Sequence, residues 1–317
     1  MARPKPQGVS RYIDMWALPG VHPTNLELLQ QLKTADSQHF TKNMDVVGTV
    51  AELDNESGRW EKTHMIGVRT DVWKPDKAEL ARSLKVIHSK RRAELKKQIK
   101  RGGRLDAKQA TLLDENLEQD LIMKMSAGDI QSRRLVLKLF KSNAKRVRWC
   151  GTIEEVTTTE VHNSIGSKRR LLTTAVMLPR TEVVTYVQEN HRTFRVPSIF
   201  TFCFYDNRRM WHLSLKQRWF SLGVDLDVEA DTRRIGKMDG KLVSFGADSL
   251  LRLDEHPLAD NTQFVDLLTL FTSSVGYHRA MRRSLKRRIK AAKKGESYRN
   301  LVEDEELRLR HNGRSAA

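Results

Sequence analysis

The sequence predicts an α+β protein in which a basic helical N-terminal segment is followed by an antiparallel β-barrel or sheet with a hydrophobic C-terminal helix. Three observations carry this. Residues 150–254 hold many short β-branched runs separated by turn residues at intervals of about 8–12 positions, the pattern of an antiparallel sheet, sandwich or barrel. Residues 76–148 switch to helical spacing and are rich in Lys and Arg. Phe264 to Tyr277 is an apolar stretch of helical character, too short to cross a bilayer and suited to a buried helix.

Composition sets outer bounds. The chain has 317 residues, 39% of them hydrophobic and 30% charged, with a net charge of +18. It is long enough to bury a core without covalent staples. No apolar stretch follows the basic residues of Met1 to Pro6, so a secretory signal is not expected. Two cysteines, Cys150 and Cys203, exclude a disulfide framework and read as small buried thiols of a cytoplasmic protein. The positive charge is segregated: residues 81–150 hold 19 Lys/Arg against 7 Asp/Glu, and residues 261–317 hold 13 against 6. Such blocks mark interaction surfaces.

The elements follow in order. Residues 1–75 form a mixed α/β part. Thr24 and Glu27 make a capping box, with a helix to Lys33. Val46 to Leu53 and Trp60 to Arg69 are strands around the turn Asp54 to Gly58. Residues 76–148 form the basic helical segment: one helix from an Asp76 cap to Gly102, a second from Asp106 to Gly128, and a third over Ile130 to Lys141. Residues 149–278 form the β module. Thr152 to Val161, Leu171 to Leu178, Val183 to Gln188, Ile199 to Tyr205 and Met210 to Leu215 are its strands, with Asp206-Asn207 as a turn. Residues 279–317 continue the apolar helix without a break into a basic amphipathic one, followed by an acidic, mobile tail.

A short repeat lies inside the β module. Arg218 to Asp225 and Lys241 to Asp248 both read basic, two apolar, Ser, apolar, Gly, apolar, Asp. Each copy is expected to be a strand, a tight turn at Gly223 or Gly246, and a new strand opening at the Asp.

Two stretches carry a family resemblance. Lys216-Gln217-Arg218-Trp219-Phe220-Ser221-Leu222-Gly223 and Ile235-Gly236-Lys237-Met238-Asp239-Gly240-Lys241-Leu242, ahead of a hydrophobic C-terminal helix, resemble the tubby and LURP-one-related group, which includes the phospholipid scramblases. The resemblance covers about residues 150–280. It implies a closed antiparallel barrel threaded by an apolar helix, and it implies a role in phosphoinositide binding for Lys237. Asp239 stands where the tubby motif has its arginine.

No catalytic motif is present, and no two of the ten histidines are spaced i, i+4. His212 and His278 read as structural. Asp225, Asp227, Glu229 and Asp231 alternate along one strand; they read as a solvated face, with Leu226, Val228 and Ala230 turned inward and Arg218, Arg233, Arg234 or Lys237 as cross-strand partners. The same acids are the one centre an enzyme or a cation site would use.

Two basic runs remain as candidate anion-binding surfaces. One holds Lys90, Arg91, Arg92, Lys96, Lys97, Lys100, Arg101 and Arg104. The other holds nine cations and no acid between Arg279 and Lys294, among them Arg282, Arg283, Lys286, Arg287, Arg288 and Lys290, beside an apolar stripe of Met281, Leu285, Ile289 and Ala292. A solvated helix face would mix both signs. The expected function is non-enzymatic binding of an anionic surface, first of all anionic lipid headgroups at a membrane. Nucleic acid is the alternative and an acidic protein the third, with no cofactor. The tail Glu303 to Glu306 is a further candidate to fold back on the basic helix.

Overall fold

The computed structural model describes residues 8–16, 44–70, 72–73, 133–143, 146–167, 169–181, 183–191, 197–218, 224–243, 246–295, 305, 307 and 309. Twelve strands form one closed antiparallel barrel in chain order: β1 (Val9–Trp16), β2 (Met44–Leu53), β3 (Trp60–Arg69), β4 (Val136–Asn143), β5 (Arg146–Glu155), β6 (Thr173–Met177), β7 (Thr185–Asn190), β8 (Ile199–Asp206), β9 (Arg209–Gln217), β10 (Leu226–Ala230), β11 (Arg233–Val243) and β12 (Gly246–Leu253). Each strand pairs with its neighbours in sequence, and β1 closes the sheet on β12 from Val9 opposite Leu253 to Trp16 opposite Gly246. Closure leaves no unpaired edge.

A barrel of this size is wider than strand side chains alone can fill. The helix α2 (Thr262–Val275) supplies the filling: every residue from Phe264 to Val275 is buried. Its hydroxyls satisfy themselves by donating to backbone carbonyls one turn back, Thr269 to Val265, Thr272 to Leu268 and Ser273 to Thr269, each at 2.7 Å. Asp266, the helix's one charged residue, meets Arg11 of β1 at 2.7 Å. Asn261 caps the helix by accepting from the amides of Gln263 and Phe264. At Gly151 a Cβ would stand 2.9 Å from Leu270 Cδ1, so glycine lets β5 approach the helix closely.

Several expectations need correction. The sheet is not confined to the C-terminal half, because β1 to β4 complete it. The third basic helix ends in a strand: β4 starts at Val136, where Leu137 and Leu139 join the barrel core and Phe140 packs with Met44, Val46 and Met65. An apolar run buried on both faces has no period to betray it. The two preceding basic helices, and the Thr24 capping box, lie outside the described residues. Strand β5 ends at Glu155, and the β-branched residues after it open the helix α1 (Thr157–Ser167). The C-terminal helix is not continuous, for Gly276 and Tyr277 separate α2 from α3 (His278–Lys293). Gly246 is an extended residue paired with Val243 rather than a turn, and Gly223 lies outside the described residues. Both repeat copies do fall at strand-to-strand connections, β9 to β10 and β11 to β12. Cys150 is buried, but Cys203 is exposed.

Candidate anion-binding site

The site grows from how α3 is seated. Met281 and Leu285 are fully buried in the barrel's core cluster, with Ala280, Ile289 and Ala292 packed against it. Arg288 lies on the same stripe, seven residues after Met281. Its guanidinium is 1% exposed and reaches Glu155 at 2.7 Å, Glu160 of α1 at 3.5 Å and the Arg133 carbonyl. Burial and the adjacent Glu155 push the Glu160 carboxyl well above the usual range, against the pull of Arg288. Arg288 is therefore a structural bolt between α3, α1 and β5, not an outward anion contact, which corrects the sequence expectation.

Arg282 is half-buried and anchored. It donates to Glu189 at 2.7 Å and to the Arg170 carbonyl at 2.9 Å. Burial works against the Glu189 carboxylate, but Arg282, Ser198 and the Leu172 amide hold it below its ordinary range. Between α1 and β6 the chain turns through Arg169 and Arg170. The Ser164 hydroxyl accepts from the Leu171 amide at 3.0 Å, and Ser167 accepts from the Arg169 amide at 3.3 Å. This places both exposed arginines beside α3.

The result is an open cavity of about 810 Å³ lined by Arg169, Arg170, Arg282, Lys286 and Lys293, with Ser164, Ile165 and Ile289. Among the described residues no carboxylate lines it. Lys286 and Lys293 are exposed. A second cavity, of about 470 Å³, shares Arg169, Arg170 and Arg282 and extends the basic surface to Arg279. His278 also lines it; burial first, then the neighbouring Arg282, holds its imidazole down at about 3, so it stays neutral.

Of the other expected residues, Arg287 and Lys290 are exposed on α3 and Arg283 is half-buried. Lys237 sits on the outer face of β11, where it pairs with Asp239 at 2.7 Å, away from α3's cations in the sheet order. Lys90, Arg91, Arg92, Lys96, Lys97, Lys100, Arg101 and Arg104 lie outside the described residues. Arg169 and Arg170 were missed. Their signal was the triplet Lys168-Arg169-Arg170, hidden in a stretch of zero net charge.

The acidic strand is shorter than expected, with Asp225 before it and Asp231 in the turn after it, but within it Leu226, Val228 and Ala230 point inward as the alternation requires. Asp227 pairs with Arg218 and Arg234, Glu229 with Lys216, and Asp231 with Arg209. Among the described residues no group of three or more His, Cys, Asp or Glu side chains converges for a metal ion. Of the acidic run Glu303 to Glu306 only Glu305 is described; its carboxylate, 1% exposed, caps α1, accepting from the amides of Thr158 at 3.1 Å and Thr159 at 3.2 Å. No family model, curated protein or solved structure matches the chain.

Proposed function

We propose that the protein is a non-enzymatic binding module that engages anionic membrane lipid headgroups through the groove between α3 and the Arg169-Arg170 turn. The observation that carries this reading is the cavity of about 810 Å³ whose lining, among the described residues, holds five cations and no acid. Arg282 is held by Glu189, and with Arg169, Arg170, Lys286 and Lys293 gathered beside it the groove favours phosphate or carboxylate ligands. Ile165, 43% exposed, and Ile289 stand among them, which suits the boundary between headgroups and acyl chains. Among the described residues no aromatic ring lines the groove to stack a base. Among the described residues no helix is long and apolar enough to cross a membrane. The attachment we propose through the helices is peripheral, at a cytoplasmic surface. The resemblance to the tubby and LURP-one-related group belongs to the same reading, since a barrel closed around an apolar C-terminal helix is the architecture it implies.

Nucleic acid is the second reading, favoured by the charge of residues 81–150, whose cations would neutralise phosphodiesters. The test is flotation with neutral vesicles and with vesicles containing phosphatidylserine, at low and raised salt, alongside an oligonucleotide mobility shift on the same preparation. Flotation with the anionic vesicles alone, weakened by salt, supports the lipid reading. An oligonucleotide shift without flotation replaces it with the second.

A further inference from the structure

Away from the basic groove, the outer face of β7, β8 and β9 forms an open cavity of about 1250 Å³. Cys203 and His212 lie in its wall. They are directly opposite each other in the β8–β9 register, so both side chains project from the same face. Both are exposed, and Cys203 Sγ stands 3.4 Å from His212 Nδ1. The flanking residues Phe202, Phe204 and Leu213 point into the barrel and fix the two strands beneath the pair. The binding function does not use this pair.

A thiol reacts as its thiolate, and an imidazole within hydrogen-bond reach is the base that makes one near neutral pH. In the tautomer with its proton on Nε2, His212 offers Nδ1 as that acceptor. The cavity gives an incoming group room, and its lining is amphiphilic: Val183, Tyr205 and Met210 are exposed apolar surface, while Arg180 presents a cation. Those features match a small peptide-like ligand that carries a carboxylate. We propose that Cys203 is a site of reversible S-thiolation by a peptide-like disulfide, with His212 as its base.

The chemistry balances without another reactant. Cys203 Sγ gives its proton to His212 Nδ1 and attacks one sulfur of the disulfide. A bond forms between Sγ and that sulfur, the reagent's own S–S bond breaks, and the departing thiolate takes up the proton from the imidazolium. Cys203 is oxidised to a mixed disulfide, and the other half of the reagent is reduced to a thiol. Cys150 is the internal control, because its side chain is buried and burial pushes its thiol up. The charged groups facing the pair are Lys216, held by Glu229, and Asp231, held by Arg209 and also accepting from the His212 amide. Arg180, His191, Tyr186 and Tyr205 complete the titratable lining.

The test treats the full chain with oxidised glutathione and follows intact mass and peptide maps over a range of pH. One adduct is expected, on Cys203 and not on Cys150, removed by dithiothreitol and absent from Cys203→Ser. Replacement His212→Gln should slow the reaction about tenfold near neutral pH and leave it unchanged at alkaline pH, where the thiolate forms without help. Circular dichroism melting of the variant confirms that the exposed substitution leaves the barrel folded. A Cys203 no more reactive than a cysteine in an unfolded peptide, preferential modification of Cys150, or a His212→Gln profile identical to wild type would each overturn the proposal.

Discussion

The outer face of β10 and the groove beside α3 are both densely charged, yet they differ in how the charge is held. On β10, Asp227 meets Arg234 of β11 and, at 3.0 Å, Arg218 just past β9, and Glu229 meets Lys216 of β9; Asp231, in the turn after the strand, meets Arg209 of β9 at 2.7 Å. Along α3 the charges divide by depth. Arg288 is buried against two carboxylates, Arg282 is anchored on one, and Lys286 and Lys293 face a cavity lined by no acid among the described residues. Density of charge in the sequence therefore marks two different things. Paired charge shapes the surface of the sheet, and charge left facing solvent together is available to a partner.

The largest expected effect breaks the buried end of this comparison. Arg288→Met leaves Glu155 and Glu160 together in the core without their counter-ion and should cost about 3–5 kcal/mol in urea unfolding. Lys286→Met, two residues away and so about half a turn round the helix on the exposed side, should leave the midpoint almost where it was. A tolerated Arg288→Met would show that the two carboxylates do not depend on it.

Proton linkage sharpens the same contrast. Because Glu160 is raised in the folded state, the stability it contributes is present below the unfolded carboxylate range and is lost as pH rises through the folded value. Glu160→Gln keeps an acceptor for the Thr173 amide and cannot ionise. Its stability relative to wild type should grow as pH is raised from about 5 to about 8, read by urea midpoints. A constant difference across that range would contradict the raised carboxyl.

Smaller effects follow outward. Glu305→Gln weakens the charge at the start of α1 and should cost about 0.5–2 kcal/mol, the range for loss of a helix cap, read by thermal melting. Asp227→Asn on β10 removes pairs whose cations are nearly half exposed, and should shift stability by less than about 1 kcal/mol. If Asp227→Asn costs as much as Arg288→Met, depth does not separate the two kinds of charge.

What was legible in the sequence follows this division as well. Helix α2 could be read because it holds a dense apolar run over Phe264 to Phe271 with one charge, and β10 because half-burial imposes alternation. The hairpin of β2 and β3 was legible through the local chemistry of its turn, where Asp54 accepts from the Glu56 and Ser57 amides and Gly58 takes φ +68°. Helix α1 was not, since its cap comes from Glu305, 147 residues away, and local propensity at Thr157 to Val161 favours a strand. The burial of Arg288 had a signal, its helical spacing from Met281 and Leu285, but nothing local names Glu155 and Glu160, 133 and 128 residues earlier, as its partners. The Arg169-Arg170 side of the groove was obscured because acids elsewhere in residues 151–260 cancel its charge.

The central claim is that the arrangement of cations, rather than their number, makes the binding surface. The direct measurement compares two triple variants of equal charge change for flotation with phosphatidylserine vesicles. One carries Arg169→Glu, Arg170→Glu and Lys286→Glu in the groove. The other carries Lys62→Glu, Arg233→Glu and Arg252→Glu, exposed positions on β3, β11 and β12. The groove variant should lose flotation while keeping the wild-type melting temperature, and the control should float as wild type does. Equal loss in both, or retention in both, would contradict the claim.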